Sequence, residues 1–158
     1  MSELSRIREA VGRVPSGLFI LSSGTGGDAS GALVSWVQQA GFEPLAVTVA
    51  VRADRDIGAV IERTGGFCLS VLAEGDRDLL ARFAKGAASG EEPLLGIEHS
   101  FSSVGGARPA PARIWMGCRL LGHQRWSDHV IYCGEVLEGR ADEGARPMIH
   151  VRKDGSRY

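Results

Sequence analysis

Two arginines three residues apart offer the clearest opportunity for chemistry in this sequence. Arg52 and Arg55 follow the apolar run 45–51 (LAVTVAV), where the chain must turn. A guanidinium presents paired N–H donors that match the oxygens of a phosphate, and the amides of a turn add further donors. The pair therefore predicts a phosphate site at one end of a strand. A hairpin with solvated arginines gives the same pattern, so both interpretations stay open.

A hydroxyl and an aromatic ring stand nearby, in the run 31–39. Ser35 and Trp36 lie side by side within this run, which is extended in character. The following run, 45–51, alternates large apolar residues with small ones, which is typical of a strand with one packed face and one close-approach face. Trp36 could line a ligand site on this pair of strands, or it could belong to the core.

Composition sets broad limits on function. The chain has 158 residues, 44% of them hydrophobic and 23% charged, as in ordinary soluble proteins. This length predicts one domain, residues 1–158. A net charge of −1 gives no reason to expect nucleic acid. We find no apolar segment long enough to cross a membrane and no signal-peptide pattern, so the expected location is the cytoplasm.

The sequence lacks the motifs of paired-cysteine sites, histidine metal sites and P-loops. The three cysteines form no CxxC pair and lie in apolar runs, so reduced core thiols are expected; they are Cys68, Cys118 and Cys133. The four histidines show no ligand spacing, so no metal site is predicted; they are His99, His123, His129 and His150. The glycine cluster 23–28 lacks the Lys-Ser/Thr of a P-loop and is expected to connect a hairpin. An enzyme with such a sequence usually depends on an organic cofactor.

The elements that position these residues are mostly strands. The pattern predicts strands at 16–22, 31–39, 45–51, 66–72, 113–122, 129–138 and, shorter, within 147–158. It predicts helices from Ser2 to before Pro15, around Ile57, and after a cap at Asp76. The stretch 85–100 is expected to be a mobile loop. Dominant strands with short helices favour an antiparallel barrel with peripheral helices.

Five segments in order carry a resemblance to a known family. They are PSGLFILSS, GALVSWVQQAGFEPLAVTVAVRADR, GFCLSVL, DHVIYCGEV and the closing PMIHVRKDGSRY. Together they resemble the flavin reductase-like family of FMN-binding split barrels, and in particular the flavin reductase module that ends the flavodiiron proteins of oxygenic phototrophs. The resemblance covers nearly the whole chain.

The resemblance implies a mainly β fold, a six-stranded antiparallel Greek-key split barrel that forms a homodimer. It implies FMN, with FAD as a second option, near the dimer interface. Members take hydride from NADH or NADPH and pass electrons to free flavin, oxygen, a metal complex or a partner monooxygenase. Two alternatives stay open: a flavin carrier without its own turnover, and a relative of pyridoxamine-phosphate oxidases. Candidates for the dimer surface are Phe101, Trp115 and Trp126.

The resemblance also implies roles for single residues. By motif position, Ser35, Trp36 and Val37 would line the flavin and its ribityl chain. Arg52 and Arg55 would hold the phosphate.

Four more roles follow from the same resemblance. Ser70 and Val71 would lie beside the isoalloxazine ring, and Phe83 would close over the site. His129 would lie at the nicotinamide side of the ring, or it is a strand-end histidine bonded to Asp128. Relatives usually have asparagine where this chain has Ser70 and often an aromatic residue where it has His150. These departures bear on the electron acceptor and the nicotinamide preference.

Overall fold

The computed structural model describes residues 1–89 and 92–157. Its elements are α1 (Glu3–Gly12), β1 (Phe19–Ser23), β2 (Ser30–Val34), β3 (Val37–Phe42), β4 (Leu45–Arg52), α2 (Asp56–Thr64), β5 (Gly66–Val71), α3 (Arg77–Ser89), β6 (His99–Phe101), β7 (Ala107–Pro109), β8 (Ile114–Arg125) and β9 (His129–Ala141). Among the described residues, no helix combines the length and apolar character needed to span a bilayer.

The main sheet is antiparallel and has the order β2-β1-β5-β8-β9-β4-β3. Its two end strands, β2 and β3, are separated along the chain by only Ser35 and Trp36. The predicted single strand at 31–39 is therefore wrong in detail, because it is broken at these two residues. Counted as one broken strand, β2 and β3 join the two ends of the sheet into the predicted six-stranded barrel, and the mainly β fold is confirmed.

The barrel interior is a continuous apolar core. It is built from inward-facing strand residues and from Ile57 and Ile61 of α2, which closes over it. Phe67 on β5 is fully buried there. Gly134 on β9 makes room for its ring, since an added Cβ would lie 2.5 Å from a ring carbon. A second cluster lies between the barrel and α3, and it contains Ile20, Leu72, Leu79 and Phe83.

The predicted short strand within 147–158 is wrong for the described residues. The chain here makes isolated bridges, His150 with Ser16 and Pro147 with Ala73. It then packs on α1, where the amides of Arg152 and Gly155 donate to carbonyls of that helix at 3.0 and 2.7 Å. We call residues 150–157 the basic segment.

Other differences concern element ends. The predicted loop 85–100 is wrong at its start, because α3 continues to Ser89. The high helix propensity of the alanines in this helix offsets the low propensity of its one glycine. Residues 90–91 of that loop lie outside the described part. The helix cap predicted at Ser2 is confirmed by a 3.1 Å bond from the Ser5 amide to its hydroxyl. Asp76 directly precedes α3, as predicted, and its carbonyl accepts from the Leu80 amide at 3.0 Å. Its carboxylate accepts from the Ala73 amide at 2.8 Å and pairs with Arg113.

Candidate functional site

The break between β2 and β3 lies at the centre of a groove made of three adjoining cavities. We call it the Trp36 groove. Ser35 and Ala50 line both the first and second cavities, Trp36 lines the second and third, and Arg52 lines the first and third. The amide of Ala50 donates to the carbonyl of Trp36 at 2.9 Å, which holds the break against β4.

The first cavity has a volume of about 420 Å³ and mainly apolar walls. Its lining is Leu18, Leu33, Val34, Ser35, Ala50, Val51, Arg52, Arg55, Leu80, Ala84 and His150. An apolar cavity with a few polar groups is the usual form of a site for a ring-bearing ligand. The structure thus brings three predicted residues together: Ser35, Arg52 and Arg55.

The two arginines differ in their surroundings. Arg52 is exposed and pairs with Asp54 at 2.9 Å. Arg55 is half-buried and is the N-cap residue of α2, and its amide donates to the Arg52 carbonyl at 3.0 Å. The first amides of a helix have no intrahelical partner and carry partial positive charge. A guanidinium beside a helix N-terminus suits a phosphate.

The second cavity, of about 370 Å³, lies on the other side of the break. Its lining is Val11, Val14, Pro15, Ser16, Ser35, Trp36, Val37, Gln38, Thr48, Ala50, Ile131 and Arg152. Two more of the predicted residues, Trp36 and Val37, therefore line the groove. Trp36 is half-buried and faces a cavity, so it is not a residue of the barrel core.

The third cavity, of about 270 Å³, contains His129. The imidazole lies 4.6 Å from the Trp36 ring, centre to centre, with the planes tilted by 40°. Its Nδ1 is 2.8 Å from an oxygen of Asp128. This hydrogen bond, with a second from Ser127, holds the pKa of Asp128 below its ordinary value. The bond to Asp128 is the one that the strand-end interpretation of His129 predicts. The residue also lines the groove, and its role beside the nicotinamide stays a prediction.

Three predicted residues lie elsewhere in this chain. Phe83, on α3, is fully buried between that helix and the barrel, and it lines a further cavity that shares Arg55 with the first. Ser70 and Val71 lie on β5, between β1 and β8. The Ser70 hydroxyl is buried and has no hydrogen-bond partner among the described residues. The roles given to these three residues stay predictions.

Sequence reasoning missed the groove residues of the basic segment. Arg152 places its guanidinium 5.0 Å from the centre of the Trp36 ring, and Arg157 lines the third cavity. His150 lines the first cavity. Two signals were present in the sequence, the basic composition of this segment and its place among the five segments that carry the family resemblance. No local pattern shows that this segment folds back onto α1 and the groove.

Comparisons with known proteins agree with this architecture. Residues 11–156 match the model of the flavin reductase like domain. Diflavin flavoprotein A 1 of Synechocystis is 32% identical over 156 residues, which is 98% of this chain and 27% of the relative. Putative diflavin flavoprotein A 2 of Nostoc is 33% identical over 156 residues, 96% of this chain and 27% of the relative. The chain thus spans about a quarter of the length of these relatives.

Solved structures share the fold. The NADH:FAD oxidoreductase SgcE6 of Streptomyces globisporus has a TM-score of 0.82 at 20% identity, covering 94% of this chain and 89% of the other. The flavin reductase PheA2 has a TM-score of 0.78 at 16% identity, covering 96% and 94%. These likenesses concern the split-barrel fold. With the family match over nearly the whole chain, they lead to one conclusion: the chain belongs to the flavin reductase like domain family.

Proposed function

We propose that this chain is an FMN-binding oxidoreductase that takes hydride from NADH or NADPH and passes electrons to free flavin, oxygen or a partner protein. The observation that carries the proposal is the Trp36 groove, which combines an apolar cavity with the half-buried Arg55 at the start of α2. Family membership supports the choice of a flavin as ligand.

The groove residues suit FMN in chemistry and arrangement. The apolar walls of the first cavity would take the ring system, since a concave, mainly apolar cavity suits a ring-bearing ligand. Ser35, Trp36 and Val37 would contact the ring and the ribityl chain, because they lie where the first and second cavities adjoin. Arg52 and Arg55 would bind the phosphate. Bound FMN would supply the redox chemistry.

His129 would position the nicotinamide. Its ring is held by Asp128 and lies against Trp36, so its position in the third cavity is fixed. A fixed neighbour of this kind limits the orientations of a bound ring and favours close approach to the flavin. Ser70, Val71 and Phe83 keep roles that the family resemblance alone supports.

We also propose a homodimer. Trp126 is 73% exposed and Phe101 is 42% exposed, and a twofold dimer is the commonest way to cover such surface. Trp115 is half-buried beneath the guanidinium of Arg108, 4.4 Å from its ring centre, and is a weaker candidate. Light scattering should give the mass of two chains; the mass of one chain would contradict the proposal.

The experiment that tests the function follows the absorbance of the flavin. Purified protein dialysed against FMN should be yellow, and anaerobic NADH or NADPH should bleach it. Colourless protein would exclude a flavoprotein. Bound flavin that neither donor bleaches would identify a carrier without turnover. Oxidation of pyridoxamine phosphate would place the chain with the related oxidases.

A further inference from the structure

The basic segment (150–157) brings a second group of charges to the Trp36 groove. Arg152 and Arg157 line the third cavity together with Arg52, Asp128 and His129. This cavity therefore carries three guanidinium groups beside one carboxylate. The FMN assignment uses one of the three, Arg52, and leaves the two arginines of the basic segment without a role.

The basic segment is held in place by contacts along its length. The amide of Arg152 donates to the Gly12 carbonyl at 3.0 Å, and the amide of Gly155 donates to the Arg8 carbonyl at 2.7 Å. Gly155 also packs tightly on α1, since an added Cβ would lie 2.6 Å from the Cβ of Val11. The arginines are thus presented by a fixed backbone.

The two arginines are also coupled to each other and to the groove. The Arg152 guanidinium lies over Trp36 and donates from NH1 to the carbonyl of Arg157 at 3.2 Å. The nearby carboxylate of Asp154 accepts bonds from the amide and hydroxyl of Ser156 at 2.7 and 2.5 Å. These contacts use the Asp154 oxygen within its own turn. The Arg152 guanidinium is held by Trp36 and by the Arg157 carbonyl, so an anion in the cavity would add to these contacts.

We propose that Arg152 and Arg157 bind the pyrophosphate of the nicotinamide dinucleotide in the third cavity. This inference rests on the proposed function, because it extends the position given there to the nicotinamide beside His129. A pyrophosphate carries two negative charges close to one another, and paired guanidinium groups are its usual ligands. The cavity joins the rest of the groove through Trp36 and Arg52, so the dinucleotide would adjoin the flavin.

ADP-ribose is a direct probe, because it contains the pyrophosphate and lacks the nicotinamide. Calorimetry should show that the FMN-loaded parent protein binds ADP-ribose, with affinity that falls as salt is added. Arg157→Ala and Arg152→Ala should each weaken binding by about tenfold, as is typical of losing one charge-assisted hydrogen bond. Arg157→Lys should keep part of the affinity. Arg77→Ala, which removes an exposed arginine of α3, should change nothing.

A kinetic measurement gives an independent readout. In the Arg157→Ala protein the KM for NADH and for NADPH should rise, while kcat and the affinity for FMN stay at the parent values. A parent protein that does not bind ADP-ribose would overturn the inference, as would variants that bind it like the parent. A parent protein that binds ADP-ribose but does not bind FMN would instead count against the proposed function alone.

Discussion

Gly58 on α2 and Tyr132 on β9 fit against each other, since an added Cβ at Gly58 would lie 2.5 Å from the tyrosine hydroxyl oxygen. The hydroxyl also donates to Glu62 of the same helix at 3.0 Å. Tyr132 therefore contacts α2 at two points, one of them within the first turn after Arg55. This contact fixes the helix that begins at the proposed phosphate site.

Gly58→Ala should destabilise the protein. The new methyl group must displace the Tyr132 ring or the helix, and such overpacking costs about 1–3 kcal/mol. Alanine regains up to about 1 kcal/mol of helix propensity over glycine, so the net loss should be smaller. Denaturant unfolding would measure it. Because Tyr132→Phe also removes the bond to Glu62, the comparison is made in that background: Gly58→Ala should cost less in Tyr132→Phe than in the parent, since the clashing oxygen is gone. The same cost in both backgrounds would refute the contact.

The free energy of unfolding at high pH should depend on Tyr132. Burial, and then the hydrogen bond and negative charge of Glu62, raise its pKa from 10.0 to about 12. The folded protein therefore keeps this proton up to a higher pH than the unfolded chain does. The resulting stability is fully present below pH 10.0 and is lost between 10.0 and about 12. Unfolding free energies measured across this window should fall less steeply in Tyr132→Phe than in the parent.

Two of the three thiols should be inert in the folded protein. Burial raises the pKa of Cys68 and of Cys118 from 9.0 to about 12, so almost no reactive thiolate forms near neutral pH. Cys133 is half-buried. A disulfide reagent should label one thiol of the native chain, at Cys133, and all three after unfolding. Cys133→Ser should abolish the native reaction; rapid labelling that survives this change would show that the core opens.

His129→Ala tests the nicotinamide assignment. Removing the imidazole should lower kcat/KM for NADH and NADPH by about ten- to a hundredfold, since loose positioning of reactants costs that much. FMN affinity should change much less, because the half-buried Arg55 and the apolar walls proposed for the ring belong to the first cavity, whereas His129 lines the third. Stopped-flow bleaching of the bound flavin measures the effect. An unchanged rate would leave His129 as a strand-end residue bonded to Asp128.

Most strands were predictable because their signals are local, whereas the six-stranded split barrel was expected from the family resemblance. The alternation over residues 45–51 identified β4, and the polar interruption at Ser35 and Trp36 marked a special point, although the sequence did not show that it breaks the strand. Trp36 has the extended neighbours of a strand residue. Its position between β2 and β3 depends on closure of the whole sheet, which is a long-range property.

The candidate site was predictable only in part, for a similar reason. Arg52 and Arg55 are close in sequence and share one turn, so their joint role could be expected. Arg152 approaches Trp36 through contacts of the basic segment with α1, more than a hundred residues away along the chain. Composition marks such a segment as basic, but packing decides which surface it covers.

Arg55→Ala tests the link between the basic turn and the phosphate. Arg55 is half-buried at the start of α2, so its bond to a phosphate would be partly shielded from water. Such charge-assisted bonds contribute about 1.5–3 kcal/mol. FMN affinity should therefore fall by about ten- to a hundredfold. Riboflavin lacks the phosphate, so its affinity should hardly change, and fluorescence titration of both ligands measures the difference.

Arg63→Ala is the matched control for this last variant. Arg63 is an exposed arginine in the last turn of the same helix, so its loss changes the net charge equally but at the opposite end of α2. Both flavins should bind Arg63→Ala like the parent. If Arg55→Ala binds both flavins like the parent, the arginine is merely solvated. If riboflavin loses as much affinity as FMN, the damage is to the fold, because a phosphate contact cannot weaken a ligand that has no phosphate.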